Sequence, residues 1–544
     1  MVVTPVRPAS EAGLEIFESG GNAIDVAVAA AFAVGVCEPY HSGIGGGGFI
    51  LIRLGESGEV VAIDAREVAP KAAHRDMYLD ENGRVNRDAP RTGGLAVAVP
   101  GLVRGLVEVH ARYGRLPLET VIAPSVRLAR DGFPIGVRHR RILEFAAHYG
   151  RFDRFPETAR IQLDAGGIPP LGWQLRQPDL ADSLEAIADG GADVFYTGPM
   201  AEAIAKSVQA YGGILTPEDL AAYQVRQREP VRGTYRGLEV VSFPPPSSGG
   251  VHLVQMLNTL EPFDLAASGA NSSETIHTVA EAMKLAFVDR AAHLGDPDFY
   301  PVPVAWLTSK DYANELSRRI GPRPFWQKVP WRWGRPSILK VESASAPPPD
   351  DSGTSHLSVM DAEGNAVSIT QTVNLLFGSG ITVPGTGIVL NNQMDDFSSA
   401  PNTPNAFGLV GQRANEIQPG KRPLSSMTPT IVLDGGEPWM VIGSPGGPRI
   451  ITTVLLSILN VVDFGMDIQQ AVSARRFHHQ WRPDRLYLEP DFAPDVQRRL
   501  EGWGHPVFRS ERPWSSAQGI VRDRETGIFW GGSDPRSDGR AVGY

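Results

Sequence analysis

The sequence of 544 residues contains a single cysteine, Cys37. One cysteine excludes an internal disulfide framework, a cysteine-based zinc site and a CxxC redox pair. The chain also lacks a basic tract, and its 51 Lys and Arg against 61 Asp and Glu give a net charge of −10. Nucleic acids and anionic membranes attract clustered positive charge, so we expect neither as a partner.

Long apolar runs and a leader pattern are missing as well. The longest apolar stretch, 23–37, contains Asp25 and is shorter than the roughly 20 residues that a bilayer-spanning helix needs. It predicts a buried helix instead. The first five residues do not show a charged segment followed by an apolar one, so this numbering contains no secretory signal. Val2 and Val3 resemble the middle of a strand, which leaves a longer natural precursor open.

Glycine and proline are abundant, with 59 and 45 residues, and predict short elements joined by tight turns. An amphipathic helix is expected over 8–19, ending at Gly20-Gly21. Asn22 is a suitable N-cap for the buried helix over 23–37. Strands are expected at 49–53 and 60–64. A strand pair fed by buried helices indicates a layered α/β core.

A Gly-Thr pair at 353–354 stands at the start of a predicted β-hairpin, with strands at 354–360 and 366–370. The preceding segment from Ala346 reads APPPDDSG and predicts an exposed linker, because prolines remove donors and fix φ. A threonine hydroxyl is a weak nucleophile without a base beside it. The α-amine of an N-terminal threonine is such a base, and it is free only after the preceding bond is cut. Taken alone, however, this pair is typical of an ordinary loop-to-strand junction.

Several ordered motifs surround the Gly-Thr pair, and together they are far more specific than any one of them. Upstream they are Gly45-Gly46-Gly47-Gly48-Phe49, Arg66-Glu67-Val68-Ala69-Pro70 and Pro244-Pro245-Pro246-Ser247-Ser248-Gly249-Gly250. Downstream they are Thr354-Ser355-His356, Asn391-Asn392-Gln393-Met394-Asp395-Asp396-Phe397, Arg422-Pro423-Leu424-Ser425-Ser426-Met427, Gly443-Ser444-Pro445-Gly446-Gly447 and Arg476-Phe477-His478-His479-Gln480-Trp481. In this order the motifs resemble the γ-glutamyltranspeptidase family over nearly the whole chain.

The resemblance implies an α/β fold, the four-layer αββα sandwich of the N-terminal nucleophile hydrolases. It also implies a precursor that cuts itself between Gly353 and Thr354. Residues 1–353 would form a large subunit that ends in the Pro-rich linker, and residues 354–544 a small one. The two subunits would together make one structural domain.

The implied activity is that of a γ-glutamyltransferase and glutathione hydrolase. Thr354 would form a γ-glutamyl ester from glutathione or another γ-glutamyl compound. Water, an amino acid or a dipeptide would then resolve that ester. By the same resemblance, Thr372 orients the Thr354 hydroxyl, and the backbone N–H groups of Gly446 and Gly447 stabilise the oxyanion.

The donor substrate carries a carboxylate and an ammonium on the glutamyl Cα. The resemblance implies that the carboxylate is bound by Arg66, Ser425 and Ser426. It implies that the ammonium is bound by Asp396, Asn374 and Gln393. Taken singly, each of these residues is more readily explained by a surface ion pair, a cap or a loop hydrogen bond.

Phe407 lies in the segment 399–412, which resembles the active-site lid of bacterial members, where tyrosine is usual. Without the phenolic hydroxyl the lid is expected to be looser and to favour water, so the ratio of transfer to hydrolysis stays open.

The Gly43–Gly48 run lacks the Lys-Ser/Thr pair of a phosphate loop, so we do not expect a nucleotide site there. The pair His478-His479 is expected to be structural. No cofactor and no metal are implied.

Two other functions remain open on this scaffold. One is a β-lactam acylase of the glutaryl type, although a glutaryl group has no ammonium for Asp396 to bind. The other is a homologue that has lost catalysis. Bacterial members are commonly exported, so periplasmic or secreted localisation is the expectation by analogy, although the sequence itself leaves localisation unknown.

Overall fold

The computed structural model describes residues 1–321 and 353–543, and two antiparallel sheets form its centre. The first sheet has seven strands in the order β20-β1-β9-β10-β2-β3-β6. In chain order these strands are β1 (Val2–Thr4), β2 (Gly47–Arg53), β3 (Val60–Ala65), β6 (Arg226–Arg228), β9 (Gly353–Met360), β10 (Ala366–Asn374) and β20 (Arg540–Val542). Residues from both sides of the 353–354 peptide bond therefore share one sheet.

The second sheet has six strands in the order β19-β18-β14-β13-β8-β7. These strands are β7 (Val231–Tyr235), β8 (Leu238–Ser242), β13 (Thr430–Asp434), β14 (Glu437–Gly443), β18 (Gln518–Arg522) and β19 (Phe529–Ser533). Three smaller sheets outside these two use β4 (Phe133–Pro134), β5 (Gln174–Leu175), β11 (Thr382–Val383), β12 (Ile388–Val389), β15 (Phe477–His478), β16 (Leu486–Leu488) and β17 (Val507–Arg509).

Helices cover both outer faces of the stacked sheets. Those of the first part of the chain are α1 (Arg7–Glu18), α2 (Ala23–Cys37), α3 (Leu102–Tyr113), α4 (Leu118–Asp131), α5 (Val137–His148), α6 (Arg151–Arg154), α7 (Pro156–Gln162), α8 (Pro178–Gly190), α9 (Asp193–Tyr196), α10 (Gly198–Ala210) and α11 (Pro217–Ala221). Those that follow are α12 (Gly249–Leu260), α13 (Leu265–Ser268), α14 (Ser273–His293), α15 (Val304–Leu307), α16 (Lys310–Ser317), α17 (Arg449–Val462), α18 (Ile468–Ser473) and α19 (Pro494–Trp503).

The alternation of side chains along β2 shows how the layers are held together. Ile50 and Ile52 belong to a core shared with α1, α2, α3 and α4, whereas Phe49 and Leu51 face the second sheet. The Phe49 ring stacks on Phe243 with 4.2 Å between centroids. A third core joins the far side of the second sheet to α12, α14 and α17. Three cores between four layers confirm the predicted αββα sandwich.

Local signals placed the first elements correctly. The Asn22 side chain accepts hydrogen bonds from Ile24 N and Asp25 N, and every residue of α2 is buried, as the apolar run predicted. The hairpin β9–β10 is also confirmed, with β10 running on to Asn374. Of the predicted linker, only Gly353 lies inside the described residues. None of the described helices is both long and apolar enough to cross a membrane.

Candidate active site

Thr354 is the second residue of β9, directly opposite Thr372 on β10. Their hydroxyl oxygens are 3.0 Å apart. The Thr372 hydroxyl donates to the Gly353 carbonyl and accepts the N–H of Asn374 at 2.8 Å. Because its only proton is already donated, Thr372 must accept the bond from Thr354. The hydroxyl of Thr354 is thus oriented by Thr372, which also contacts the carbonyl of the preceding peptide bond.

A change of register follows this pair. Beyond Thr372 the ladder shifts by one residue, so that Asn374 pairs with Gly353. Asn374 has a φ of +80°, in the left-handed region that asparagine tolerates better than most residues. Its side-chain amide donates to the Asn392 carbonyl at 3.0 Å. Within the described part of the chain, this side chain forms no hydrogen bond with Asp396, so its role at the ammonium remains a prediction.

A tight turn after β14 carries the two glycines predicted for the oxyanion. Gly446 has a φ of +132° and Gly447 a φ of +57°, values that strain a residue with a Cβ. Their carbonyls accept the N–H groups of Arg449 and Ile450 at 3.1 Å, which starts α17. The N–H groups of the two glycines themselves donate to no other described residue. They remain free for an oxygen that enters the site.

The Phe407 ring covers this turn. A Cβ added to Gly447 would lie 2.7 Å from Phe407 Cδ1, so the ring and the glycine are in close contact. Gln480 Nε2 donates to the Phe407 carbonyl at 3.1 Å, and the Ala406 N–H donates to Asp395 at 2.9 Å. Burial raises the pKa of Asp395 to about 6, against the opposing charge of Arg91. The lid segment is therefore tied to the same stretch that carries Asp396.

Arg66 and Asp396 form the charged end of the site. Arg66 is completely buried, and its Nη2 lies 2.5 Å from Asp396 Oδ2. Gln393 Nε2 donates to the same oxygen at 2.7 Å, and Arg66 Nε donates to the Pro423 carbonyl at 3.1 Å. Two buried atoms, Arg66 Nη1 and Gln393 Oε1, have no hydrogen-bond partner among residues 1–321 and 353–543. The guanidinium nitrogen can only donate, as a carboxylate requires, and the amide oxygen can only accept, as an ammonium requires. Together the two atoms suit a zwitterionic ligand.

Sequence reasoning missed Arg290, a buried residue of α14. Its Nε donates to Ser248 Oγ at 3.0 Å and its Nη2 to Ser426 Oγ at 3.2 Å. Because a guanidinium only donates, the Ser426 hydroxyl keeps its own proton for a ligand. Ser425 Oγ likewise accepts the Met427 N–H at 3.1 Å. Burial lowers the pKa of Arg290 to about 10, with Asp396 opposing the shift.

Sequence reasoning also did not assign a role to Glu67, although it follows Arg66 in the motif that spans residues 66–70. Its carboxyl group is fully buried and has no hydrogen-bond partner among the described residues. Burial raises the pKa of Glu67 to about 7, although Arg66, with Nη1 3.5 Å away, lowers it. Below that pH a neutral Glu67 leaves the charge of Arg66 available to an anion.

His478, the last residue of β15, and the following His479 have structural hydrogen bonds, as expected. The ring nitrogens of His478 bond to Thr452 Oγ1 at 2.9 Å and Gln480 Oε1 at 3.0 Å. His479 Nε2 lies 3.2 Å from Asp484, and its Nδ1 accepts the Trp481 N–H. A separate group of possible ligands comprises His277, Glu281 and His505. There the Lys284 ammonium, 2.8 Å from Glu281, already provides the positive charge.

Two stacked antiparallel sheets between helical layers, with a hydroxyl pair at the head of a central strand, define an N-terminal nucleophile hydrolase fold. The family model described as gamma-glutamyltranspeptidase matches residues 9–544. The chain belongs to the γ-glutamyltranspeptidase family.

Relatives and solved structures agree with this assignment. The glutathione hydrolase proenzyme of Escherichia coli (strain K12) is 44% identical over all of this chain and 92% of its own length. The crystal structure of a cephalosporin acylase from Bacillus halodurans has a TM-score of 0.87 at 30% identity, covering 100% of this chain and 95% of that one. The γ-glutamyltranspeptidase structure from Helicobacter pylori has a TM-score of 0.57 at 42% identity, covering 61% of this chain and 95% of that one.

Proposed function

We propose that the protein is an autoprocessing γ-glutamyltransferase and glutathione hydrolase. The observation that carries this proposal is the hydrogen-bond chain from Thr354 through Thr372 to the Gly353 carbonyl. It joins a candidate nucleophile to the carbonyl that autoprocessing would attack. The name of the Escherichia coli relative, a glutathione hydrolase proenzyme, supports the same function.

Processing begins when Thr354 Oγ1 attacks the Gly353 carbonyl carbon. The C–N bond breaks, the chain passes through an ester on the threonine oxygen, and the Thr354 nitrogen becomes a free amine. Water then hydrolyses the ester to a Gly353 carboxylate and restores the hydroxyl. The Thr372 hydroxyl polarises the attacked carbonyl. Residues 1–353 and 354–544 would then be two chains of one domain, because β9 and β10 lie between β1 and β2.

The mature reaction reuses the same hydroxyl. The new α-amine, with an ordinary pKa near 8, takes the proton of Thr354 as its oxygen attacks the γ-amide carbonyl of the donor. The unpaired N–H groups of Gly446 and Gly447 bind the oxyanion, and the amine product leaves. Water, an amino acid or a dipeptide then attacks the γ-glutamyl ester. Glutathione is the proposed donor.

Donor recognition uses the donors and acceptors that the charged end of the site still offers. Arg66 Nη1, which has no hydrogen-bond partner among the described residues, and the hydroxyl protons of Ser425 and Ser426 bind the glutamyl carboxylate. Asp396 and Gln393 Oε1 bind the ammonium. Neutral Glu67 beside Arg66 keeps this end of the site attractive to an anion below pH 7.

The test is intact-mass spectrometry of the purified and incubated protein, followed by release of 4-nitroaniline from its γ-glutamyl amide. We expect two fragments split after Gly353, with activity rising as cleavage proceeds. Thr354→Ala should stay uncut and inactive. The matched Thr354→Ser variant keeps a hydroxyl and should still be cut, more slowly.

Cleavage of Thr354→Ala at the same bond would place the nucleophile elsewhere. An uncut wild-type chain without activity would favour the homologue that has lost catalysis. The similarity to the cephalosporin acylase structure from Bacillus halodurans supports the second enzymatic alternative, a β-lactam acylase of the glutaryl type. Equal rates on glutaryl and γ-glutamyl amides would support that alternative and contradict the role of Asp396.

A further inference from the structure

The strand β9 carries Thr354 on one face and Ser355 on the other. Val359 of this strand belongs to the core shared with α1 and α2, whereas Met360 belongs to the core between the two sheets. Because side chains alternate along a strand, Ser355 points toward the helical layer and Thr354 toward the second sheet. Ser355 is therefore the neighbour of the proposed nucleophile in the chain but contacts a different layer.

A chain of hydrogen bonds runs through Ser355 on the helical side. Gln371, its partner in the strand ladder, donates from Nε2 to Ser42 Oγ at 3.1 Å. Ser42 Oγ donates to Ser355 Oγ at 3.3 Å, and Ser355 Oγ donates to Glu38 Oε2 at 2.7 Å. All four side chains are buried. Because an amide NH₂ group only donates and a carboxylate only accepts, the direction of the whole chain is fixed.

The Glu38 carboxylate, where this chain ends, is buried and charged. Burial alone would raise its pKa, but His41, Arg138 and the Ser355 hydroxyl lower the pKa of Glu38 to about 2. Arg138 Nη1 of α5 lies 3.4 Å from Glu38 Oε1, and His41 Nδ1 lies 3.7 Å from Oε2. A carboxylate is a stronger acceptor than a neutral oxygen, so the bond from Ser355 is the strong one of the chain.

The backbone of the same segment, residues 38–42, holds β10. The His41 carbonyl accepts the Val373 N–H at 3.0 Å, and the Tyr40 carbonyl accepts the Phe377 N–H at 3.0 Å. Val373 directly follows Thr372, and the residue before Thr372 is the one that donates to Ser42. The segment therefore fixes β10 on both sides of Thr372.

The head of β9 has fewer strand contacts than the rest of the strand. β10 pairs with β9 along its whole length, but on the other side β1 pairs, within the described ranges, only with Ser358 and Val359. Cutting the bond after Gly353 would make Thr354 the terminus of a strand that is paired on one side. Chain termini fray unless they are tied down, so an anchor at the next residue keeps the Thr354 hydroxyl beside Thr372.

We propose that Glu38 is a positioning residue for Thr354 that acts through the Ser355 hydroxyl, which rests on the function proposed above. Its carboxylate holds the residue after the nucleophile while the scissile bond is cut. It does so again while the new α-amine takes the hydroxyl proton of Thr354. The carboxylate itself does not enter the chemistry. Its loss slows the reaction without weakening donor binding, because the charged groups of the donor bind at Arg66 and Asp396.

The experiment follows self-cleavage by intact mass, and then single turnovers of the cleaved enzyme in excess over γ-glutamyl-4-nitroanilide. Ser355→Ala should slow both self-cleavage and ester formation about tenfold, the effect of losing one hydrogen bond to a charged group. The enzyme concentration at half the maximal rate should change less than about twofold, since single turnovers separate binding from chemistry. Ser355→Thr keeps the hydroxyl in a residue that suits a strand, and should restore both rates to within about threefold of wild type.

A double-mutant cycle tests whether Glu38 acts through Ser355. Glu38→Gln should lower both rates about tenfold in the wild-type background and less than about twofold in the Ser355→Ala background, because the shared bond is already lost there. Glu38→Gln also removes a counter-charge of Arg138. Glu38→Asp keeps that charge and withdraws the carboxylate by one methylene, so it takes the place of Glu38→Gln in the cycle if the latter does not fold.

Ser358→Ala is the matched control. Ser358 is a buried serine of the same strand, and its hydroxyl donates to the Gln518 carbonyl at 2.9 Å. At this position β1 also pairs with β9, so the strand does not depend on the hydroxyl. Both rates of the control should stay within about twofold of wild type.

Wild-type rates in Ser355→Ala and in the Glu38 variant would overturn the proposal and leave the proposed function standing. An equal loss in Ser358→Ala would also overturn it, because general strand stability would then be the cause. Additive losses in the double variant would show that Glu38 does not act through Ser355. A wild-type chain that neither cuts itself nor releases 4-nitroaniline would instead refute the proposed function, and the positioning role with it.

Discussion

Replacing Asp396 with asparagine tests the charged end of the site most directly. The carboxylate Oδ2 lies 2.5 Å from Arg66 Nη2 and 2.7 Å from Gln393 Nε2, and the side chain is only 11% exposed. Asparagine keeps the shape and removes the negative charge. The proposed substrate ammonium then loses its counter-ion in a largely desolvated place.

Removing one partner of a buried charge pair costs about 2–5 kcal/mol of binding free energy. Since Asp396 keeps some exposure and Gln393 Oε1 remains as a neutral acceptor, we take about 3 kcal/mol, which corresponds to roughly a 100-fold loss in kcat/KM. A substrate without an ammonium should escape this loss. The effect therefore appears as a change in substrate preference rather than a general loss of activity.

The assay measures kcat/KM for γ-glutamyl and glutaryl 4-nitroanilides with fully cleaved enzyme. The ratio of the two values should fall roughly 100-fold in Asp396→Asn. Asp463→Asn serves as control, because it breaks another buried pair, with Arg236 at 3.2 Å, and should leave the ratio unchanged. If Asp396→Asn lowers both values equally, or if wild type already prefers neither substrate, the ammonium site is wrongly assigned.

Three further predictions concern Glu67, Gly447 and Phe407. Because burial raises the pKa of Glu67 from 4.5 to about 7, the folded state holds a proton that the unfolded state releases. The protonated Glu67 therefore contributes up to about 3 kcal/mol to the free energy of unfolding below pH 4.5, and this contribution is lost as pH rises through 7. Glu67→Gln should flatten the decline in melting temperature between pH 5 and pH 8, and an unchanged slope would contradict the shift. Gly447→Ala should lower kcat at least tenfold in 4-nitroaniline release, because its φ of +57° and the Phe407 ring leave no room for a methyl group; a normal kcat would exclude this turn as the oxyanion site. Phe407→Tyr should raise the transfer-to-hydrolysis ratio with glycylglycine about fivefold, the effect of one added hydrogen bond. An unchanged ratio would show that a hydroxyl on the lid does not control the choice between transfer and hydrolysis.

Much of the molecule could be predicted from local sequence. The helix α2 follows from the Asn22 cap and an apolar run, and the β9–β10 hairpin follows from alternation around a turn. Thr354 was predicted from the resemblance of the ordered motifs to the family, since the Gly-Thr pair alone is typical of a loop-to-strand junction. The helix and the hairpin depend on hydrogen bonds and side-chain periodicity within about twenty residues, which a sequence displays directly.

The electrostatics of the site depend on the tertiary structure. Asp396 meets Arg66 across 330 positions of the chain, and Arg290 of α14 reaches Ser426 across 136 positions. The raised pKa of Glu67 and the unpaired Oε1 of Gln393 arise only when other elements exclude water from these groups. Desolvation and charge pairing depend on which surfaces pack together. The sequence therefore determined the main elements and, through the family resemblance, predicted the nucleophile, whereas the fold decided which charges are buried, paired or left free for a ligand.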